Sequence, residues 1–171
     1  MVSAWCGTWS PISAGSCRVA GSRCWGPVVP FGVCWSRERP KSVVIANRTA
    51  ARAAELAALF ADLGTVRGGG YELLEALEVD LLINATSAGL QGEMPPLPDT
   101  LLTVRSCCYD MLYGPEPTLF MRWAAQNAAW AVADGLGMLV EQAAESFYRW
   151  RQVRPATQPV INQMRNMLAA A

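Results

Sequence analysis

Residues 43–60 read VVIANRTAARAAELAALF. A β-branched apolar run enters a polar, basic elbow, Asn47-Arg48-Thr49. Apolar residues at helical spacing follow: Ala53, Leu56, Ala57, Leu59 and Phe60. The pattern predicts a strand buried on both faces over Ser42–Ala46 and a helix over Thr49–Leu63 that stops at Gly64. Ligands of parallel α/β sheets bind beyond the carboxyl ends of the strands, so an elbow of this kind is half of a nucleotide site. The other half is a glycine-rich turn about 20 residues upstream. Here that place holds RCWGPVVPFGVCWS, residues 23–36.

Downstream the elements alternate. A short strand near Thr65-Val66-Arg67 and a helical turn from Tyr71 to Leu77 come next. VDLLINA, Val79–Ala85, reads as a second buried strand. GEMPPLPDTLL, residues 92–102, leads to a third strand, SCCYDMLY, residues 106–113. Helices are expected over Thr118–Ala129, Leu136–Arg151 and about Pro159–Ala170. Strands alternating with helices predict an α/β fold, a parallel sheet with flanking helices.

The bulk numbers agree with one domain that has a sizeable core. The chain has 171 residues, 52% of them hydrophobic, with 14 basic and 14 acidic side chains. That balance gives no footprint for nucleic acid, and no apolar run approaches a membrane span. There is no histidine, which removes imidazole bases, Ser-His and Cys-His nucleophile pairs and His-ligated metals. The six cysteines form no C-x-x-C pair, and Cys107-Cys108 lies in a buried strand. They read as core thiols of a reducing cytoplasm, not as a metal site or disulfide framework.

In dinucleotide folds an acid at the elbow bonds the ribose hydroxyls and favours NAD. Arg48 with small polar neighbours removes that charge and offers a guanidinium fork to a 2′-phosphate, and Arg52 lies one turn on. The spacing suits NADP(H). Read alone, the same residues equally fit a helix N-cap at Thr49 with two solvated arginines. Asn84-Ala85-Thr86-Ser87-Ala88-Gly89 follows the second strand, where its amides and hydroxyls can face a nicotinamide or ribose, or form a plain turn. Tyr109-Asp110-Met111-Leu112-Tyr113 ends the third strand, and Met111 in it suits packing on a flat ring, although methionine is more often core. Ala133-Asp134-Gly135-Leu136-Gly137-Met138 opens a helix whose glycines permit close backbone approach, and Gln142 follows two turns in.

Taken together, NRTAARAAELA, DLLINATSAGL, CYDMLYGPEPTLF and ADGLGMLVEQAAESFYRW, in this order and spacing, closely resemble bacterial NADP-dependent shikimate dehydrogenase. The likeness covers residues 40 to 171. It implies an incomplete Rossmann-type NADP-binding domain over 40–134 that lacks its first βα unit. Carboxyl-terminal helices over 135–171 fold back, in the family, onto the substrate domain. The activity implied is reversible, NADPH-dependent reduction of 3-dehydroshikimate to shikimate, on the route to chorismate and the aromatic amino acids. By the same resemblance Asn47, Arg48, Thr49 and Arg52 match binders of the 2′-phosphate and adenosine ribose. Thr86, Ser87, Met111, Gly135 and Met138 match positions lining the nicotinamide, and Tyr113 and Gln142 match side chains that reach the substrate. The implied partners are that small-molecule substrate and NADP(H), in the cytoplasm, with no nucleic acid and no membrane; a homodimer is left open.

Two parts of the family pattern have no counterpart: the amino-terminal domain with its serine pair, catalytic lysine and aspartate, and the GAGGA loop that holds the pyrophosphate. No catalytic residue is assigned, and the chain is expected to be inactive alone. Two alternatives are a non-catalytic nucleotide-binding module and a quinate/shikimate dehydrogenase paralogue, the latter disfavoured by the acid-free elbow. The head, residues 1–39, differs in kind. Residues 1–37 carry four Trp, four Cys and no acid. Back-translated with G or C at the free third positions and read from the last base of the Arg23 codon, CWGPVVPFGVCW becomes LLGAGGAVRGVL, a phosphate loop at the expected distance. The head is therefore expected to be a wrong-frame translation that rejoins the true frame near Ser36–Pro40. In a 3-2-1-4-5-6 sheet the lost strand is central, which would leave the strands at 42–46 and 79–85 with bare edges.

Overall fold

The computed structural model describes residues 41–170. The expectations for residues 1–39, the wrong-frame head included, lie outside the described residues. The elements are β1 (Val43–Ala46), α1 (Ala50–Ala58), β2 (Val66–Gly69), β3 (Val79–Asn84), β4 (Leu102–Asp110), α2 (Leu119–Gln126), β5 (Ala131–Ala133), α3 (Leu136–Arg151) and α4 (Gln158–Ala169). Short 3-10 turns lie at Tyr71–Leu74, Ala88–Gln91 and Asp99–Leu101.

Among the described residues every strand pairing is parallel. β1 pairs with β2 from Val43 opposite Val66 to Ala46 opposite Gly69, and β3, β4 and β5 form a second sheet in that order. Among the described residues no strand joins β1 to β3. That is the position at which a doubly wound sheet carries its first strand.

Helix α1 returns the chain from β1 to β2 and lies so close to β2 that a Cβ on Gly68 would overlap the Ala53 carbonyl. The helix is shorter than its apolar spacing predicts. After Ala58 the chain tightens into i→i−3 turns (Phe60 N–H to Ala57 O, 3.1 Å; Leu63 N–H to Phe60 O, 3.1 Å). These turns bring Phe60 and Leu63 against Val43, Ile45 and Val66. Only Val43 of β1 is buried, so the two-sided burial expected for the whole strand holds at that residue alone.

The main core lies between β4 and α2, where Leu102, Cys108, Phe120 and Ala124 are buried together. Thr118 caps α2, its Oγ1 accepting the Met121 N–H at 3.2 Å. β4 starts four residues before the expected Ser106, because the Ser106 hydroxyl sustains an irregular stretch: it donates to Val79 O (2.5 Å) and accepts from Thr103 N–H (2.8 Å). The register jumps there from Val79 opposite Leu102 to Leu81 opposite Cys107. β5 is a strand the sequence does not announce. α3 and α4 form the terminal helical pair, with the Arg154 guanidinium bonded to Glu145 at 2.6 Å and stacked 4.7 Å over the Tyr148 ring.

Candidate functional site

The elbow after β1 is fixed by its own first residue. The Asn47 N–H donates to Gly69 O at 3.0 Å, tying the turn to the end of β2, and its Oδ1 accepts the Thr49 N–H at 2.8 Å. The carboxamide thus does the work of a local turn, and the Thr49 side chain, at the N-cap of α1, makes no capping bond. Arg48 and Arg52 are exposed and have no acidic partner among the described residues.

A second group forms where β3 and β4 end. Asn84, the last residue of β3, is buried, as is Asp110, the last of β4. Asn84 Nδ2 donates to Asp110 Oδ1 (3.1 Å), while Asn84 Oδ1 accepts from Thr86 through both its N–H (3.1 Å) and its hydroxyl (2.8 Å). Asp110 also accepts from Leu112 N–H (3.1 Å) and, on Oδ2, from the Thr118 hydroxyl (2.5 Å). Burial pushes the Asp110 carboxyl above its ordinary range, and these three donors pull against that rise. The network holds the two strand ends in register and aims Thr86 off the end of β3.

The third group is the turn from β5 into α3. Gly135 is buried, its N–H bonded to Leu112 O at 3.0 Å. A Cβ there would overlap the Met111 carbonyl, so only glycine lets this turn close on the end of β4. Met111 and Met138 both pack on Tyr109, together with Ile83 and Ala133. Burial, then the nearby Asp134 charge, raise the Tyr109 phenol far above its usual range. Asp134 is itself gripped by α4, with the Arg165 guanidinium meeting its two oxygens at 2.5 and 2.8 Å.

Of the sequence-predicted residues, the structure therefore packs Met111 and Met138 on Tyr109, sets Gly135 against the Met111 carbonyl, and links Thr86 to the end of β4 through Asn84 and Asp110. Ser87 is exposed at the start of a 3-10 turn with an uncapped hydroxyl. Tyr113 is 42% exposed and Gln142 half-buried, and among the described residues no side-chain hydrogen bond ties either to this group. No described hydrogen bond joins the elbow to it. Asp110, Thr118, Asp134 and Arg165 carry the architecture without a role assigned from sequence, and the Asn84 amide, read as able to face a nicotinamide or ribose, is spent on Asp110 and Thr86. The available signal was position: Asn84 and Asp110 are the first polar residues after the runs LLI, residues 81–83, and CCY, residues 107–109.

A parallel α/β fold with polar and glycine residues at successive strand ends defines the dinucleotide-binding class of domain. The carboxyl-terminal turn and helices, residues 135–165, match the model of the shikimate 5′-dehydrogenase C-terminal domain. The chain is 57% identical over 131 residues to the NADP(+) shikimate dehydrogenase of Cellvibrio japonicus, covering 77% of this chain and 48% of that protein. Its identity to the corresponding enzyme of Thioalkalivibrio sulfidiphilus is 60% over 126 residues, 74% of this chain and 46% of that one. A solved shikimate dehydrogenase in complex with NADP+ superposes with a TM-score of 0.66 at 26% identity, over 80% of this chain and 50% of that one. The chain belongs to the shikimate dehydrogenase family and spans about half the length of the curated relatives it matches.

Proposed function

We propose that this chain supplies the NADP(H)-binding half of a shikimate dehydrogenase, whose reaction is the reversible reduction of 3-dehydroshikimate to shikimate with NADPH. One observation carries the reading: Met111 and Met138 pack on Tyr109 and Gly135 closes on the Met111 carbonyl, at the ends of β4 and β5, in a chain whose β1 elbow bears two exposed arginines and no acid. The residues present fit NADP(H) at both ends. Arg48 and Arg52 offer donors to a 2′-phosphate. The soft side chains of Met111 and Met138 suit a flat ring, and Gly135 lets the turn that carries Met138 close on the end of β4. When bound, the cofactor supplies the hydride.

Proton transfer to the substrate oxygen needs a positioned acid. The chain has no histidine and a single lysine, Lys41, which precedes β1. Tyr113 and Gln142 are read as substrate contacts, not as proton donors. We therefore expect cofactor binding without turnover by the 171-residue chain on its own. The buried Cys107 and Cys108 suit a cytoplasmic setting.

The test is a titration of the purified chain with NADPH and with NADH, followed by Trp fluorescence, beside an assay of 3-dehydroshikimate reduction. Preference for NADPH with no reduction is the expected result. Silence at millimolar NADPH counts against the binding half of the proposal, and reduction of substrate overturns the expected inactivity.

A further inference from the structure

Helix α4 reaches the β5–α3 turn through Arg165. The two guanidinium nitrogens of Arg165 meet the two carboxylate oxygens of Asp134 at 2.5 and 2.8 Å, a bidentate fork between residues 31 apart in the chain. The Asp134 side chain is 8% exposed and that of Arg165 46%. Asp134 does more than pair with α4: its Oδ1 also accepts the Leu136 N–H at 3.3 Å, one of the amides at the start of α3 that lack a partner within the helix. Between these two bonds lies Gly135, held to the end of β4 by its N–H to Leu112 O and by its fit against the Met111 carbonyl.

We propose that Arg165 is a positioning residue: through Asp134 it fixes the Gly135–Met138 turn, the wall against which the nicotinamide half of a dinucleotide would lie. The physical reason is orientation. A carboxylate held by a planar two-armed donor cannot rotate without breaking both arms, and the oxygen that caps Leu136 stays aimed at that amide. A buried carboxylate that loses its partner must find water or move, and here movement releases the cap. The consequence for the cofactor rests on the function proposed above. The consequence for the turn does not.

The experiment compares the full 171-residue chain with Arg165→Met, which keeps much of the apolar stem, and Arg165→Lys, which keeps the charge but not the fork. Amide hydrogen exchange is read separately over residues 134–139 and over β4. Arg165→Met is expected to speed exchange at 134–139 about tenfold, as for local opening, with β4 unchanged. Lys should restore only part of the protection. In the same variants, NADPH affinity should fall several-fold with Met and less with Lys. Unchanged exchange at 134–139, or an equal rise in β4, overturns the proposal, the second because it marks a merely structural anchor. Faster exchange at 134–139 with unaltered NADPH affinity overturns its cofactor half. A parent chain that does not bind NADPH counts against the function proposed above, while the exchange pattern still decides the role of Arg165.

Discussion

Gly135 rests on the carbonyl of Met111 so closely that a Cβ at position 135 would occupy the space of that oxygen. The obstacle is backbone on both sides, and backbone at the end of a central strand cannot swing away as a side-chain tip can. Gly135→Ala should therefore destabilise the chain by about 1–3 kcal/mol, the range for forcing extra carbon into a packed interior. Urea unfolding of the two proteins measures it, and a loss below about 0.5 kcal/mol, the size of an ordinary surface change, would show that the turn can open.

Gly92 is the control for that argument. It takes a left-handed φ of +71°, yet a Cβ there would meet nothing within 4 Å. Alanine at 92 should cost only the local backbone preference, about 1 kcal/mol. Gly68→Ala should resemble Gly135→Ala, because its Cβ would overlap the Ala53 carbonyl of α1. The same unfolding series ranks all three, and a cost at Gly92 equal to the other two would remove the steric explanation.

Asp110 sets a pH dependence. Burial holds its carboxyl above the ordinary 3.8 despite the Thr118, Leu112 and Asn84 donors. The folded chain therefore keeps this proton at pH values where the unfolded chain has released it. Its contribution to stability is greatest at acid pH and is lost as pH rises from 3.8 through the folded value. Asp110→Asn keeps an acceptor for Asn84 and Leu112 but cannot ionise. The stability of the variant relative to the parent should thus rise between pH 4 and pH 7. Asp110→Ala strands three donors and should cost about 2–4 kcal/mol at pH 4, and less as pH rises and the parent loses its own contribution. A difference between parent and Asn variant that is flat with pH would mean that Asp110 ionises as freely in the fold as outside it.

How much of this was legible from sequence follows from the range of each interaction. α3 reads correctly from Leu136 to Arg151 because its signals are local, a glycine before it and apolar residues at helical spacing. β5 does not, because Ala131-Val132-Ala133 is a strand only through partners 24 residues back, Cys107 opposite Ala131 and Tyr109 opposite Ala133. The early start of β4 depends on the Ser106 hydroxyl reaching Val79 O, a contact 27 residues long that no window around residue 102 contains. The site divides in the same way. Met111, Gly135 and Met138 can be placed by their matching strings, whereas Asn84 with Asp110 and Asp134 with Arg165 are pairs made by the fold, at separations of 26 and 31 residues.

Cys108 offers a clock for the opening of the sheet. It is fully buried in β4, and that burial pushes its thiol up to about 12. Thiolate is the reactive form, so neither access nor ionisation favours alkylation in the folded chain. Labelling by iodoacetamide at pH 8 should be slow and should accelerate in urea in step with loss of Trp fluorescence. Rapid labelling of Cys108 in buffer would show that β4 opens without global unfolding.

The elbow arginines make a prediction in which stability and binding separate. Arg48 is exposed, has no acidic partner among the described residues, and projects from a turn that Asn47 closes by itself. Arg48→Glu should leave the unfolding midpoint almost unmoved, within about 0.5 kcal/mol, as for a surface change away from packed features. If Arg48 meets a 2′-phosphate, removing a charge-assisted bond costs about 1.5–3 kcal/mol and lowers NADPH affinity by more than tenfold. NADH has no phosphate at that position, so its affinity should hold or rise. Titration of both cofactors into both proteins gives four affinities. Equal losses for NADPH and NADH would mean that Arg48 supports the elbow and does not read the phosphate. A loss confined to NADPH assigns the reading to its guanidinium.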